Sequence, residues 1–197
     1  MKPINNWQNV KPATERIQLP AGGYICKIMG AEVKQYPSKD GGTFEKLEVS
    51  LDILQGEYKD FYAEDYRSQI SEDKRWRGVL RQYLPKDDGS EKDEWTKSSL
   101  KALTDAIEDS NEGYHWDWDE KGLKGKTAGC LFRREQWAMD GREGWAVRPF
   151  RLVPVAYIEE GNFKIPADKP LKGNQAAQVH TQPASATELL DDDDLPF

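Results

Sequence analysis

The chain is poor in the residues that build metal and redox centres. Only two cysteines, Cys26 and Cys130, and two histidines, His115 and His180, occur in 197 residues. There is no C-x-x-C, and four zinc ligands at a recognisable spacing cannot be assembled, which argues against a structural zinc site. The two thiols stand far apart in apolar, strand-like stretches, a setting that predicts buried and reduced side chains. Long apolar runs are missing too. No window approaches the roughly 18 consecutive apolar residues of a membrane span, and the first twenty residues lack the apolar core of a signal peptide. A cytoplasmic protein is the expectation, with one domain of about 100 to 200 residues or one domain with appendages. No Gly-rich phosphate loop, G-x-S-x-G elbow or nucleophile and base pair is present, so neither an enzyme class nor a cofactor is implied.

What the chain does have is charge, unevenly spread. The net charge is −7, which on average argues against a polyanionic partner. Residues 171–197 hold one base (Lys172) against five acids (Glu188, Asp191, Asp192, Asp193, Asp194), so this piece accounts for −4 of the total. Residues 124–151 hold seven bases against three acids, with Phe132, Trp137, Trp145 and Phe150 interleaved, and residues 67–86 hold six bases against two acids around Trp76 and Tyr83. Residues 108–120, by contrast, hold six acids and no Lys or Arg. The overall sign is therefore a poor guide to the surface of the body.

Periodicity predicts a mainly β body. A strand is expected over 24–33 after the turn at Pro20 to Gly23, followed by a loop near Pro37 to Gly42. Leu47, Val49, Leu51 and Ile53 then alternate with Lys46, Glu48, Ser50 and Asp52, a strand packed on a core from one side. A third strand is expected over 58–67, with Tyr58, Tyr62 and Tyr66 in related phase. Trp76, Val79, Leu80, Tyr83 and Leu84 recur at helical spacing, predicting an amphipathic helix over 73–84 closed by Pro85, and a second helix over 96–110. Strands over 126–137 and 144–155 flank a tight turn, and an extended piece over 157–166 follows. Three strands, two helices between strands three and four, and two further strands match the five-stranded Greek-key barrel called the OB-fold; an α+β sandwich is the alternative.

Residues 1–170 form that expected domain. From Lys172 the chain has almost no apolar residue before Leu189, so a disordered linker is expected, with an end about 20 to 25 Å from the body. It closes on Leu189, Leu190, four aspartates, Leu195, Pro196 and Phe197. A phenylalanine for an apolar pocket, a proline that lowers ordering cost and acids that steer toward basic surroundings suit a docking peptide.

This tip resembles the C-terminal tip of bacterial single-stranded DNA-binding proteins, and the whole chain is similar to the single-stranded DNA-binding proteins encoded by bacteriophages. The resemblance implies that Asp191, Asp192, Asp193, Asp194, Leu195, Pro196 and Phe197 bind replication or repair proteins of host or phage in a bacterial cytoplasm. It implies a body that protects single-stranded DNA during replication, recombination or repair. The body does not match the core sequence of the bacterial proteins, so their tetrameric state does not carry over, although a homo-oligomer is compatible with the chain.

Strand binding without sequence preference needs cations for phosphates and aromatic faces for bases. The candidates are Lys34, Tyr36, Lys39, Phe44, Lys46, Tyr62, Tyr66 and Arg67 on one half of the surface. Arg133, Arg134, Trp137, Arg142, Trp145 and Arg148 form the other. Three competing readings are a recombination mediator or annealing protein, a protein–protein adaptor, and a metal-dependent nuclease built on Asp40, Glu57 and Lys59. The last rests on spacing that arises readily in a chain 32% charged. His115, in the acidic run HWDWD, is expected in a solvated loop.

Overall fold

Leu47, Val49, Leu51 and Ile53 anchor the sheet. In the computed structural model, which describes residues 2–3, 5, 7–9, 17–38 and 41–171, they lie buried on β2 (Thr43–Ile53). Across an antiparallel ladder they meet β1 (Gly22–Pro37), whose Cys26 pairs with Ile53 and whose Tyr36 pairs with Phe44. A register shift between Ile28 and Gly30 interrupts this ladder, and such a bulge bends a long strand. Three more strands, β3 (Val79–Tyr83), β4 (Thr127–Met139) and β5 (Arg142–Val153), complete a five-stranded sheet in the order β3-β2-β1-β4-β5. Each of the four pairings between these strands is antiparallel. Asp140 and Gly141, with φ of 51° and 71°, make the two-residue turn between β4 and β5, where both central residues need positive φ.

The sequence expectation fails between β2 and β4. The segment expected as a third strand over 58–67 is instead helix α1 (Phe61–Ser68). Tyr58, Tyr62 and Tyr66 recur every four residues, a spacing compatible with either period, and Asp60 at φ 59° turns the chain out of any strand. The segment expected as a helix over 73–84 is a loop that runs into β3. Its apolar residues fit a helical stripe, but the open edge of β2 gives their backbone partners: Lys46 pairs with Tyr83, Glu48 with Arg81 and Ser50 with Val79. Between β3 and β4 there is consequently one α-helix, α2 (Glu91–Asp109), and a 3-10 turn (Glu120–Leu123), where two helices were expected. Helix α2 begins earlier than expected because Ser90 caps it, its side chain accepting from the Asp93 N–H at 3.2 Å. The stretch expected as extended over 157–166 overlaps the short helix α3 (Val155–Glu159).

The core lies between the sheet and helices α1 and α2. Phe132 is fully buried and stacks on Tyr62 with centroids 6.4 Å apart. Leu100, Leu103 and Ile107 of α2 join the same cluster, as does Leu80 of β3. Cys26 and Cys130 are buried and free, as expected. A hydrogen bond with Cys130 and burial together push the Cys26 thiol well above its ordinary pKa. On the opposite face of the sheet, Ile158 of α3 and Phe163 rest on Gly23 of β1, where an added Cβ would meet both at 2.7 Å. Ile158 also rests on Gly129 of β4. Among the described residues, no helix is long and apolar enough to cross a membrane.

Candidate nucleic-acid interface

The polar side of β2's alternation does not face water. Register places Tyr36 of β1, Phe44 of β2 and Tyr83 of β3 on the face opposite the core, beside Lys46. The Tyr36 and Phe44 rings stack at 5.7 Å and 13°, and Tyr83 leans on Phe44 at 5.4 Å. The Lys46 side chain, expected at the surface, is 1% exposed. Its Nζ sits 4.0 Å from the Tyr83 centroid and 5.5 Å from those of Tyr36 and Phe44. An ammonium over three ring faces is held by their quadrupoles, so Lys46 organises this aromatic face rather than reaching outward.

Glu48 locks the same face from beneath. Its carboxylate accepts from Lys34 Nζ at 2.8 Å, from Arg81 Nε at 2.7 Å and from the Tyr36 hydroxyl. Burial favours the neutral acid, but the three donors outweigh it and hold the carboxyl down at about 2. Lys34 also pairs with Glu32 at 2.7 Å. Hydrogen bonds to Glu32 and Glu48 raise its pKa to about 12. The phenol of Tyr36 is raised by burial and by its Glu48 partner.

The second group of candidates sits on the β4–β5 hairpin. Beyond Phe132 this hairpin outruns β1, whose first residue, Gly22, pairs with Phe132. Its two tryptophans lie on opposite faces, because Trp137 pairs with Gly144 while Trp145 pairs with Gln136. Trp137 lies over Gly144, where an added Cβ would come within 3.0 Å of the indole. It shares its face with Arg133, Arg142 and Arg148. Arg133 bonds Glu135 at 2.8 Å, stacks on Phe150 at 4.2 Å, and stands directly opposite Arg148. On the other face Arg134 lies 4.9 Å from the Trp145 centroid and pairs with Asp168 at 3.2 Å. The chain beyond α3 runs along this hairpin: Lys169 makes a parallel bridge to Glu135, and the Leu171 N–H donates to Gln136 Oε1 at 3.1 Å.

Of the remaining candidates, Tyr62 belongs to the core and cannot serve as a stacking platform. Tyr66 is 39% exposed, tilted on Trp76 at 5.9 Å, and Arg67 is exposed at the end of α1. Lys39 lies outside the described residues, as do Asp40 of the nuclease reading and the tip residues Asp191, Asp192, Asp193, Asp194, Leu195, Pro196 and Phe197. Glu57 falls in a turn. Among the described residues, no group of three or more His, Cys, Asp or Glu could hold a metal ion. His115 is exposed, as expected. Sequence reasoning missed Tyr83, Arg81 and Glu48. Tyr83 and Arg81 were assigned to a helix, and only the β2–β3 register brings them beside Lys46 and Glu48. Neither a protein-family model nor a curated protein sequence matches the chain.

Proposed function

We propose that this chain is a binding protein, not an enzyme, that covers single-stranded DNA without strong sequence preference. The observation that carries the reading is the face of Tyr36, Phe44 and Tyr83, three aromatic rings gathered on adjacent strands around Lys46. Aromatic faces accept any base, because every base has a π-face, and this is how strand-binding proteins tolerate sequence. The arginines of the β4–β5 hairpin supply cations for the backbone. The fold is compatible with an OB-type barrel: β3-β2-β1-β4-β5 is the strand order of such a barrel opened between its third and fifth strands, and β3 and β5 approach each other. Its ligand face and the hairpin loops beside it are where that architecture binds oligonucleotides.

The chain's other role in this reading is recruitment of replication, recombination or repair proteins by residues 191–197, which rests on the sequence resemblance alone. The test for the body is a titration of tryptophan fluorescence with oligo(dT) at two salt concentrations. Quenching that weakens with salt supports strand binding. Absence of binding at low salt would sink it and leave the protein–protein adaptor as the better account. Strand exchange or annealing of complementary oligonucleotides, beyond simple binding, would instead favour the mediator.

A further inference from the structure

Resting on the strand-binding reading, the geometry points to a division of labour. We propose that bases and phosphates are captured at two separate places, the β1–β2–β3 aromatic face taking bases and one face of the β4–β5 hairpin taking phosphates.

The cations of the aromatic face are already committed. Lys34 pairs with Glu32 and Glu48, Arg81 pairs with Glu48, and Lys46 is buried among the rings. A phosphate arriving there would displace existing carboxylate partners and release few counterions. The hairpin differs. Arg133 and Arg148 are directly opposed across the strands, an arrangement of like charges that is unfavourable by itself. Glu135 reaches both, at 2.8 Å and 3.9 Å. Arg142, on the same face beside Met139, is exposed and makes no ion pair among the described residues. A face with more guanidinium than carboxylate gains from a polyanion laid along it.

The two places are also apart. The β1–β2 hairpin turns beyond Pro37, whereas the β4–β5 hairpin extends past Gly22, at the other end of β1. Strand β1 has 16 residues, on the order of 50 Å if it were straight, and less with its bulge. Between the two places, α3 and Phe163 cover Gly23 and Gly129 on that face of the sheet. A bound strand therefore stacks at one end and is neutralised at the other.

The consequence is a separation of affinity from salt dependence. For oligo(dT) longer than about 16 nucleotides, the upper site size of one such fold, the slope of log K against log salt reports phosphate contacts, at about 0.7 per contact for single strands. Tyr36→Ala combined with Phe44→Ala should weaken binding about fivefold to a hundredfold, as loss of a stacked base does, with the slope unchanged. Arg142→Ala combined with Arg148→Ala should lower the slope by about 1.4. Arg142→Lys with Arg148→Lys should retain the slope, and circular dichroism checks the fold of each variant. A slope that falls equally in the aromatic variant, or that survives loss of both arginines, overturns the division while leaving strand binding in place. Wild-type protein that fails to bind at low salt removes both.

Discussion

Asp52 holds the first turn of α1 from a distance: its Oδ1 accepts the backbone N–H of Tyr62 at 2.9 Å, and its Oδ2 that of Ala63 at 3.2 Å. The helix has no local side-chain cap, since Asp60 stands at its N-terminus in a left-handed conformation without such a bond. A carboxylate on β2 therefore does the work of an N-cap and fastens α1, with its core residue Tyr62, to the sheet. Asp52→Ala would strand these buried donors and the N–H of Ile53, which shares the same oxygen as Tyr62. The expected loss is about 1 to 3 kcal/mol, read as a lowered urea midpoint at unchanged m-value. Asp52→Asn keeps one acceptor oxygen and should lose less; equal midpoints for wild type and the alanine variant would remove Asp52 from this role.

That contact also explains where sequence reading stopped. The alternation from Lys46 to Ile53 and the helical spacing of Leu100, Leu103 and Ile107 were legible because one period alone fits each, and packing agrees with it. Tyr58, Tyr62 and Tyr66 fit both periods, and the choice is made by Asp52, which a linear pattern cannot bring to residue 62. Leu80 and Tyr83 were misread for the same reason, their strand being selected by the edge of β2. The site was legible as a list of residue types and not as an arrangement. Lys46 and Glu48 look solvent-facing in an alternating strand, and only the three-strand register shows Tyr36, Phe44, Tyr83 and Arg81 gathered around them. Gly78 was the one local sign against a helix there, since glycine inside a helix costs about 1 kcal/mol relative to alanine.

Gly78 brings the loop before β3 against the β2 backbone and the Tyr62 ring. Its carbonyl accepts from the Leu51 N–H at 2.7 Å, and an added Cβ would lie 2.5 Å from the Tyr62 ring and 2.6 Å from the Leu51 carbonyl oxygen. Neither neighbour is free to withdraw: one is a core ring and the other is backbone. Gly78→Ala should cost about 1 to 3 kcal/mol through overpacking. Gly30→Ala, with nothing within 4 Å of the new Cβ, should stay within about 0.5 kcal/mol of wild type. Thermal melting of both variants checks the contrast, and a similar midpoint for the two would contradict it.

Glu48 makes the aromatic face acid-sensitive. Its carboxyl falls from an ordinary 4.5 to about 2 in the folded protein. A lowered folded-state pKa contributes stability that is complete above about pH 4.5 and is lost as the pH falls toward 2. The side chain is only 8% exposed, and the contribution is at most about 3 kcal/mol. Glu48→Gln should therefore be less stable than wild type at pH 7, and the difference should shrink steadily between pH 4.5 and 2. Urea denaturation across that range measures it. A difference that does not change with pH would mean that the ionised carboxylate contributes nothing through its three donors.

Trp137 and Trp145 separate the two faces of the β4–β5 hairpin, and the proposed ligand distinguishes them. Trp137 lies with Arg133, Arg142 and Arg148, on the face where cations exceed carboxylates. Trp145 lies across the strands from Gln136 and under Arg134, whose guanidinium is already paired with Asp168. A strand held by its phosphates on the first face lies beside Trp137 and cannot reach Trp145 without crossing the hairpin. Trp137→Ala should reduce oligo(dT) affinity about threefold to fivefold, less than loss of a stacked base, by loosening the face that holds the phosphates. Trp145→Ala should leave affinity within about twofold and act, if at all, on stability through the lost contact with Arg134. Binding isotherms of the two variants at one salt concentration give the comparison. Equal losses would remove the distinction between the two faces, and a loss confined to Trp145→Ala would put the ligand on the other face of the hairpin.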